Sequence, residues 1–382
     1  MVLQHLQLKC PAMSVPFLDL KQQNSAIWDE LQPDFITLVR DAQFILGPAV
    51  KAFEDAFATW CGAKHCVGLN NGTTALHMAL LAHDIGLGDE VITTPHSWIS
   101  TSWGIAYTGA RPVFVDIEAD SFNLASDLVE AAITPRTKAI LPVHLYGHAA
   151  NLSALRAICS RHNLVLIEDA AQAHGAVHAG RVVGSIGDAG CFSFYPGKNL
   201  GAFGEAGAVT TNSDTVATRI RCLRDHAQSG RHNHVEIGYN TRMEGIQGLV
   251  LERKLRHLPR WTVLRRQHAE FYLRELQGVP GLTLPVAAAP DAHVWHLFVV
   301  LVSDRDRFRS GLEKSGVATG VHYPTPIPWQ PAFAHLGYRP GSFPVTESVM
   351  SRCVSLPMFP ELTIDQRQQV VDAVRGILSN SF

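Results

Sequence analysis

VLIEDAAQAHGA (Val165–Ala176) and CFSFYPGKNLGAFGEAGAV (Cys191–Val209) decide the fold between them. The first opens with a β-type run, Val165–Ile167, that ends in two carboxylates, Glu168 and Asp169. The second is a short apolar run, Cys191–Phe194, with Lys198 four residues past its end and a glycine-rich stretch after that. Working outward, Val91–Thr94 (stopped by Pro95), Val113–Asp116, Ala139–Val143 and Val165–Asp169 are β-rich runs. They are separated by segments of helical length, among them Thr73–Ala82 and Leu152–His162. This alternation over residues 70–208 predicts an α/β chain with a mostly parallel, doubly wound sheet. In such sheets ligands gather beyond the carboxyl ends of the strands. Asp169 falls there, and Lys198 lies just past the next run.

After Gln247 the character changes. Gly248–Leu276 reads as one long, charged helical segment, followed by the Pro/Ala stretch Pro285–Ala292. A strand is expected over Val294–Val302, then a helix near Arg305–Ser315, the GVHY stretch Gly320–Tyr323, and a closing helix over Thr363–Leu378. The chain therefore divides into an N-terminal extension (1–14), a large domain (15–255) and a smaller α+β domain (256–382). Met13 is an alternative start.

Composition narrows the function classes. At 382 residues, with 46% hydrophobic and 17% charged residues, the chain is long enough for two well-buried domains. A formal net charge of −2 gives no global electrostatic case for nucleic acid or an anionic membrane. No apolar run approaches the roughly 18 residues of a membrane span, and the first residues lack a signal peptide's basic start and long apolar stretch. The 7 cysteines are scattered without a Cys-x-x-Cys pair, as expected of reduced thiols in a cytoplasmic protein. The 19 histidines do not fall at zinc-site spacing, and His232 and His234 sit in a polar loop, so no metal is expected.

A carboxylate ending one buried strand and a lysine just past another are what a pyridoxal 5′-phosphate (PLP) enzyme needs. The lysine forms a Schiff base with the cofactor aldehyde, and the aspartate keeps the pyridine nitrogen protonated so that the ring accepts electrons. Asn71-Gly72-Thr73-Thr74 opens a predicted helix after Val67–Leu69. Free amides at a helix N-terminus, a glycine allowing close approach and flanking hydroxyls make a phosphate cradle. Taken alone, such a sequence is more often an ordinary cap. Ser193 is a second phosphate donor or a packed strand residue. Trp98 is positioned to stack on a pyridine ring, although a lone Trp is more often core. Order and context together carry the case.

At this point the chain resembles the DegT/StrS sugar aminotransferases, PLP enzymes of the aspartate aminotransferase fold (fold type I). The likeness runs from VPFLDL (Val15–Leu20) to LPMFPELT (Leu356–Thr363), through NGTTALHMAL, GDEVITTPHSW, IEDAAQAHGA, FSFYPGKNLG, GYNTRMEGIQ and GVHYPTPI. The resemblance implies that Lys198 is the Schiff-base lysine and proton carrier, and that Asp169 binds the pyridine nitrogen. Gln172 would meet the phenolic oxygen and Trp98 would stack on the ring. Gly72, Thr73 and Ser193 would hold the phosphate. Asn240 would reach the phosphate of a neighbouring subunit, making a homodimer with shared sites. Arg242, His322 and Tyr323 would lie toward the sugar nucleotide, with Arg242 and His322 offsetting its diphosphate charge. The substrate would be a nucleotide-diphosphate keto sugar and the amino donor glutamate. His293-Val294-Trp295-His296 resembles members that aminate C3 of deoxythymidine-diphosphate (dTDP) 3-keto-6-deoxyhexoses.

Three positions depart from the family pattern: Ala206 where glycine is usual, Thr241 where serine is, and Gly248 where alanine is. None removes a reacting group. Lys198 argues against the family's dehydratases, which carry histidine there. A non-catalytic regulator could dispense with Lys198 or Asp169, and this chain has both. The nucleotide, the sugar stereochemistry and the choice of C3 over C4 remain open at this level.

Overall fold

The structure, a computed structural model, describes residues 15–286 and 289–379. The extension 1–14, with Met13, lies outside the described residues. Nine strands occur in the first half: β1 (His65–Leu69), β2 (Glu90–Thr93), β3 (Arg111–Phe114), β4 (Thr137–Leu141), β5 (Val165–Asp169), the short β6 (Val177–His178) and β7 (Arg181–Val182), β8 (Ala189–Ser193) and β9 (Gly207–Thr211). Seven form one sheet in the order β1-β9-β8-β5-β4-β2-β3, and β6 pairs only with β7. β8, β5, β4, β2 and β3 are mutually parallel, and β9 runs against both β8 and β1. β1 and β8 therefore point the same way. The carboxyl ends of β1, β8, β5 and β2 share one rim, and each delivers part of the site.

The sheet is buried on both faces, which is why its strands read as continuous apolar runs. Successive side chains of a strand point to opposite faces. Cys191 of β8 joins the cluster with Ala75, Leu76 and Met78 of the helix Gly72–Ala82. Phe192 and Phe194 join the opposite cluster with Phe53 and Phe57 of the helix Gly47–Cys61. Phe57 meets both edge-on, at centroid distances of 4.9 and 5.3 Å.

A second sheet is antiparallel and three-stranded: β10 (Leu282–Thr283), β11 (Phe298–Val302) and β12 (Cys353–Leu356). Residues of the helices Leu258–Leu276, Arg305–Lys314 and Ile364–Ser379 share its apolar cluster. Val15 joins this cluster and bridges Val317. No helix among the described residues is long and apolar enough to cross a membrane.

Two elements differ from the sequence reading. The segment 248–276 is two helices, Gly245–Leu255 and Leu258–Leu276. Pro259 sits in the first turn of the second, where its missing N–H is harmless, whereas a continuous helix would need that donor. The run 294–302 is a strand only from Phe298. Its first half turns instead to the 3₁₀ turn Leu145–Gly147 that follows β4, with Val294 N–H donating to Gly147 O (2.9 Å) and Leu297 N–H to Tyr146 O (3.2 Å). One apolar run thus serves two partners.

Gly248 marks a close helix crossing. A Cβ there would lie 2.7 Å from Val50 Cα and 2.8 Å from Val50 N. Backbone cannot yield as a side chain can. Gly248→Ala gains about 1 kcal/mol of helix propensity, but overpacking of this kind costs about 1–3 kcal/mol. The variant is expected to be no more stable than the parent, with a urea midpoint equal or lower; a clear rise would show that the two helices can separate freely.

Candidate active site

A cavity of about 970 Å³ opens at the shared rim. Of the eleven residues singled out by sequence, nine line it: Gly72, Thr73, Trp98, Asp169, Gln172, Ser193, Lys198, His322 and Tyr323. Register explains the convergence. Asp169, the last residue of β5, pairs with Cys191 of β8. The chain leaving β8 then turns through Tyr195–Lys198, closed by Lys198 N–H to Tyr195 O (2.8 Å), and brings Lys198 back over the rim.

Asp169 is buried, and its carboxylate is held in place. Thr101 Oγ1 donates to Asp169 Oδ2 (2.8 Å), Ser97 and Thr101 share a hydroxyl hydrogen bond (2.8 Å), and the Ala171 amide reaches Oδ1 (3.2 Å). Burial pushes the Asp169 carboxyl up; Thr101, the Ala171 amide and the Lys198 charge oppose the rise without cancelling it. Burial also draws the Lys198 ammonium down from its usual range to about 8, against the pull of Asp169. A substantial share of Lys198 is therefore neutral amine at mildly alkaline pH, which a nucleophile and proton carrier requires.

The end of the helix Gly72–Ala82 is open toward the cavity. Asn71 caps the helix Gly72–Ala82, its Oδ1 accepting from Thr74 N–H (2.8 Å). That leaves the amides of Gly72 and Thr73 directed out of the helix end. A Cβ on Gly72 would fall 2.5 Å from Ser193 Cβ, so only glycine lets the helix end meet β8 this closely. A Cβ on Gly207 would fall 2.3 Å from the Asn71 carbonyl, whereas Ala206 is accommodated, fully buried. The departure at Ala206 is thus sterically harmless.

Gln172 is fixed at both ends: Oε1 accepts from Tyr146 N–H (2.7 Å) and Nε2 donates to Tyr323 Oη (3.0 Å). Trp98 is not core. It is 57% exposed and faces the cavity beside Tyr323, at 5.8 Å between centroids. His322 Nδ1 pairs with Ser355 Oγ (2.8 Å), and burial followed by the Lys198 charge brings its imidazole down to about 4, so it is neutral. Asn240 and Arg242 do not line this cavity. Arg242 binds Asp225 Oδ1 (3.0 Å) and Asn240 Oδ1 (2.8 Å), holding an exposed Asn240 at the surface.

Sequence reasoning missed several groups. Thr101, three residues past Trp98, was not singled out. His144 Nε2 meets the buried Glu168 carboxylate at 3.0 Å, and the amides of Gly184, Ile186 and Gly187 converge on the same group. Burial pushes Glu168 up, but His144 and these amides outweigh it and hold it low. Glu168 thus anchors the end of β5 while Asp169 faces the cavity. His296 and Arg265 also line the cavity. Among the described residues no His, Cys, Asp or Glu cluster is placed to hold a metal.

The family model described as the DegT/DnrJ/EryC1/StrS aminotransferase family matches residues 26–375. The chain belongs to this family. It is 44% identical over 364 residues to a pleiotropic regulatory protein of Geobacillus stearothermophilus, covering 95% of this chain and 98% of that one. It is 44% identical over 361 residues to a dTDP-3-amino-3,4,6-trideoxy-α-D-glucose transaminase of Streptomyces venezuelae, covering 94% and 95%. The crystal structure of S. venezuelae DesV in complex with a ketimine intermediate superposes with a TM-score of 0.93 at 44% identity, covering 95% of this chain and 98% of that one.

The cofactor of this aminotransferase is PLP, and the residues present fit it. A glycine-floored helix end suits a phosphate, a dry carboxylate suits a pyridinium, an amine of lowered pKa suits an aldehyde, and an exposed indole suits a flat ring.

Two outcomes follow. Because Lys198 loses its proton at lower pH folded than unfolded, the unfolded chain binds more protons between about pH 8 and the ordinary lysine range, and stability contributed by this group rises with pH across that window. In cofactor-free protein, denaturation midpoints of the parent relative to Lys198→Met should show this rise; a flat difference would contradict it. Thr101→Val should keep the fold but reduce kcat by about 10-fold, the scale of one hydrogen bond to a charged group. Thr101→Ser should restore it, and unchanged kcat in the valine variant would show that Asp169 needs no such support.

Proposed function

We propose that this enzyme transfers an amino group from glutamate to a nucleotide-diphosphate 3-keto-6-deoxyhexose, with dTDP as the favoured carrier. The observation that carries the reading is Lys198, a half-buried amine drawn down to about 8, set in one cavity with a buried aspartate and a free helix end. The name of the Streptomyces venezuelae relative supports the substrate class.

The bound cofactor supplies a conjugated ring that takes up the electrons released at the donor's Cα. The protein does the rest. Gly72, Thr73 and Ser193 bind the phosphate. Asp169, kept dry and oriented by Thr101, holds a proton on the pyridine nitrogen. Trp98 covers the ring face, and Gln172 turns its carboxamide toward the phenolic oxygen. Lys198 takes the proton from Cα of the donor and delivers it to C4′ of the cofactor; in the second half-reaction the same amine works in reverse on the sugar carbon. Neutral His322, with Tyr323, lines the sugar side.

Asn240, braced by Arg242, is the group we assign to the phosphate of a neighbouring subunit. The apolar Val235 (58% exposed) and Ile237 (88% exposed) on the same segment support a homodimer with shared sites. Arg242 is then available to the diphosphate across the interface. We further place the enzyme in the cytoplasm, making an amino sugar for a lipopolysaccharide or a glycosylated natural product. A large domain of 15–255 and a small one from 256 agree with the helix break before Leu258 and with the two separate sheets. Of His293–His296, whose likeness favours C3, His296 reaches the cavity. Amination at C4 is the second reading. The regulatory name of one relative favours a non-catalytic role less, since Lys198 and Asp169 are both present.

A turnover screen of nucleotide keto sugars with glutamate, with NMR of the product, tests this. The expected product carries its amine on C3; an amine on C4 overturns the regiochemistry, and no turnover with any keto sugar overturns the substrate class. Lys198→Ala should reduce turnover to background. Mixing inactive Lys198→Ala and Asn240→Ala chains should regenerate activity through hybrid dimers with one intact site; an active, strictly monomeric enzyme by sedimentation would contradict the shared site.

A further inference from the structure

Arg265 stands in the helix Leu258–Leu276, is only 3% exposed, and lines the same cavity as Lys198. One of its nitrogens is fully engaged: Nη1 donates to the carbonyls of Trp295 (3.1 Å), His296 (3.4 Å) and Met358 (2.7 Å). Nε has no partner, and Nη2 makes no hydrogen bond among the described residues. Nor does any carboxylate among them approach within 4.0 Å. Glu361 acts on Arg265 only through space, and its own carboxyl, with Oε2 unpartnered, is pushed up by burial.

A guanidinium stripped of water, tethered by one nitrogen and with its remaining donors unused, is costly unless an anion completes it. Its planar fork matches a carboxylate. The two histidines that line the cavity add no charge: His296 and His322 are neutral, their imidazoles pushed down first by burial. Lys198 and Arg265 line the same cavity as His296, which feels the charge of both.

Two anions pass through such a site, the carboxylate of the amino donor and the diphosphate of the sugar nucleotide. Position separates them. The carbon that surrenders its proton to Lys198 carries the α-carboxylate directly. The diphosphate hangs on the anomeric carbon, ring bonds away from the reacting ketone, and belongs further out. We infer that Arg265 binds the α-carboxylate of the amino-acid donor. This rests on the reading of Lys198 as the proton carrier at the donor's Cα.

The test separates the two half-reactions. Donor conversion is followed spectroscopically on the PLP form with L-glutamate, its α-carboxamide analogue and its γ-carboxamide analogue. The sugar step is followed on enzyme preloaded in the pyridoxamine form. The parent should prefer glutamate over the α-amide by about 10- to 100-fold, the range expected of hydrogen bonds to a charged group. Arg265→Met should lose that preference, bind 2-oxoglutarate more weakly by a similar factor in calorimetry, and run the sugar step within a few-fold of the parent. Arg265→Lys should recover part of the donor preference. A parent indifferent to the α-amide would overturn the inference even if the variants fail to fold. So would a variant that loses only the sugar step, which marks a diphosphate site, or one that slows both steps equally with the preference intact, which marks a structural role. A parent that converts no donor at all would instead sink the aminotransferase reading, and this inference with it.

Discussion

The structure depends on one unfavourable arrangement, a buried carboxylate and a half-buried amine just past the ends of neighbouring parallel strands. Each alone resists its charge: burial raises Asp169 and lowers Lys198. They are held at one cavity because β5 and β8 pair in a register that sets Asp169 against Cys191, with the turn to Lys198 following. Both faces of the sheet are packed with apolar side chains, so the register cannot slip without turning Phe192 and Cys191 to the wrong faces. Packing energy across the whole sheet therefore keeps two titratable groups where water would not leave them.

Around that pair the neighbours divide the work. Glu168, one residue before Asp169, points the other way and is saturated by His144 and three backbone amides. It fixes the strand end. Asp169 keeps only Thr101 and one amide, leaving capacity for a cationic ring nitrogen. The same economy appears at the helix end, where Asn71 satisfies one amide and leaves others unpaired. Arg265 repeats it with one nitrogen tethered and the rest unused.

Much of this was legible in the sequence. The β-runs, the helices Gly72–Ala82 and Leu152–His162, and the placement of Asp169 and Lys198 follow from local periodicity, which packing on both faces of a parallel sheet reinforces. What was not legible depends on long-range partners. Nothing local tells Val294–Leu297 to leave its strand and bond to Tyr146 and Gly147. Nothing around Thr101 or Arg265 announces that one faces Asp169 and the other the cavity. Trp98 has the sequence of a core residue and is exposed because its surroundings form a cavity wall. Gly248 departs from the family pattern because a helix crossing, invisible in sequence, leaves no room for a Cβ.

The central claim is that Lys198 carries the proton at the donor's Cα. Loss of the Cα–H signal of L-glutamate in deuterated water, followed by NMR with no keto sugar present, tests it most directly. The parent enzyme should exchange that hydrogen catalytically, and Lys198→Ala, loaded with cofactor, should not. Exchange persisting in the variant at the parent's rate would show that another base does the work.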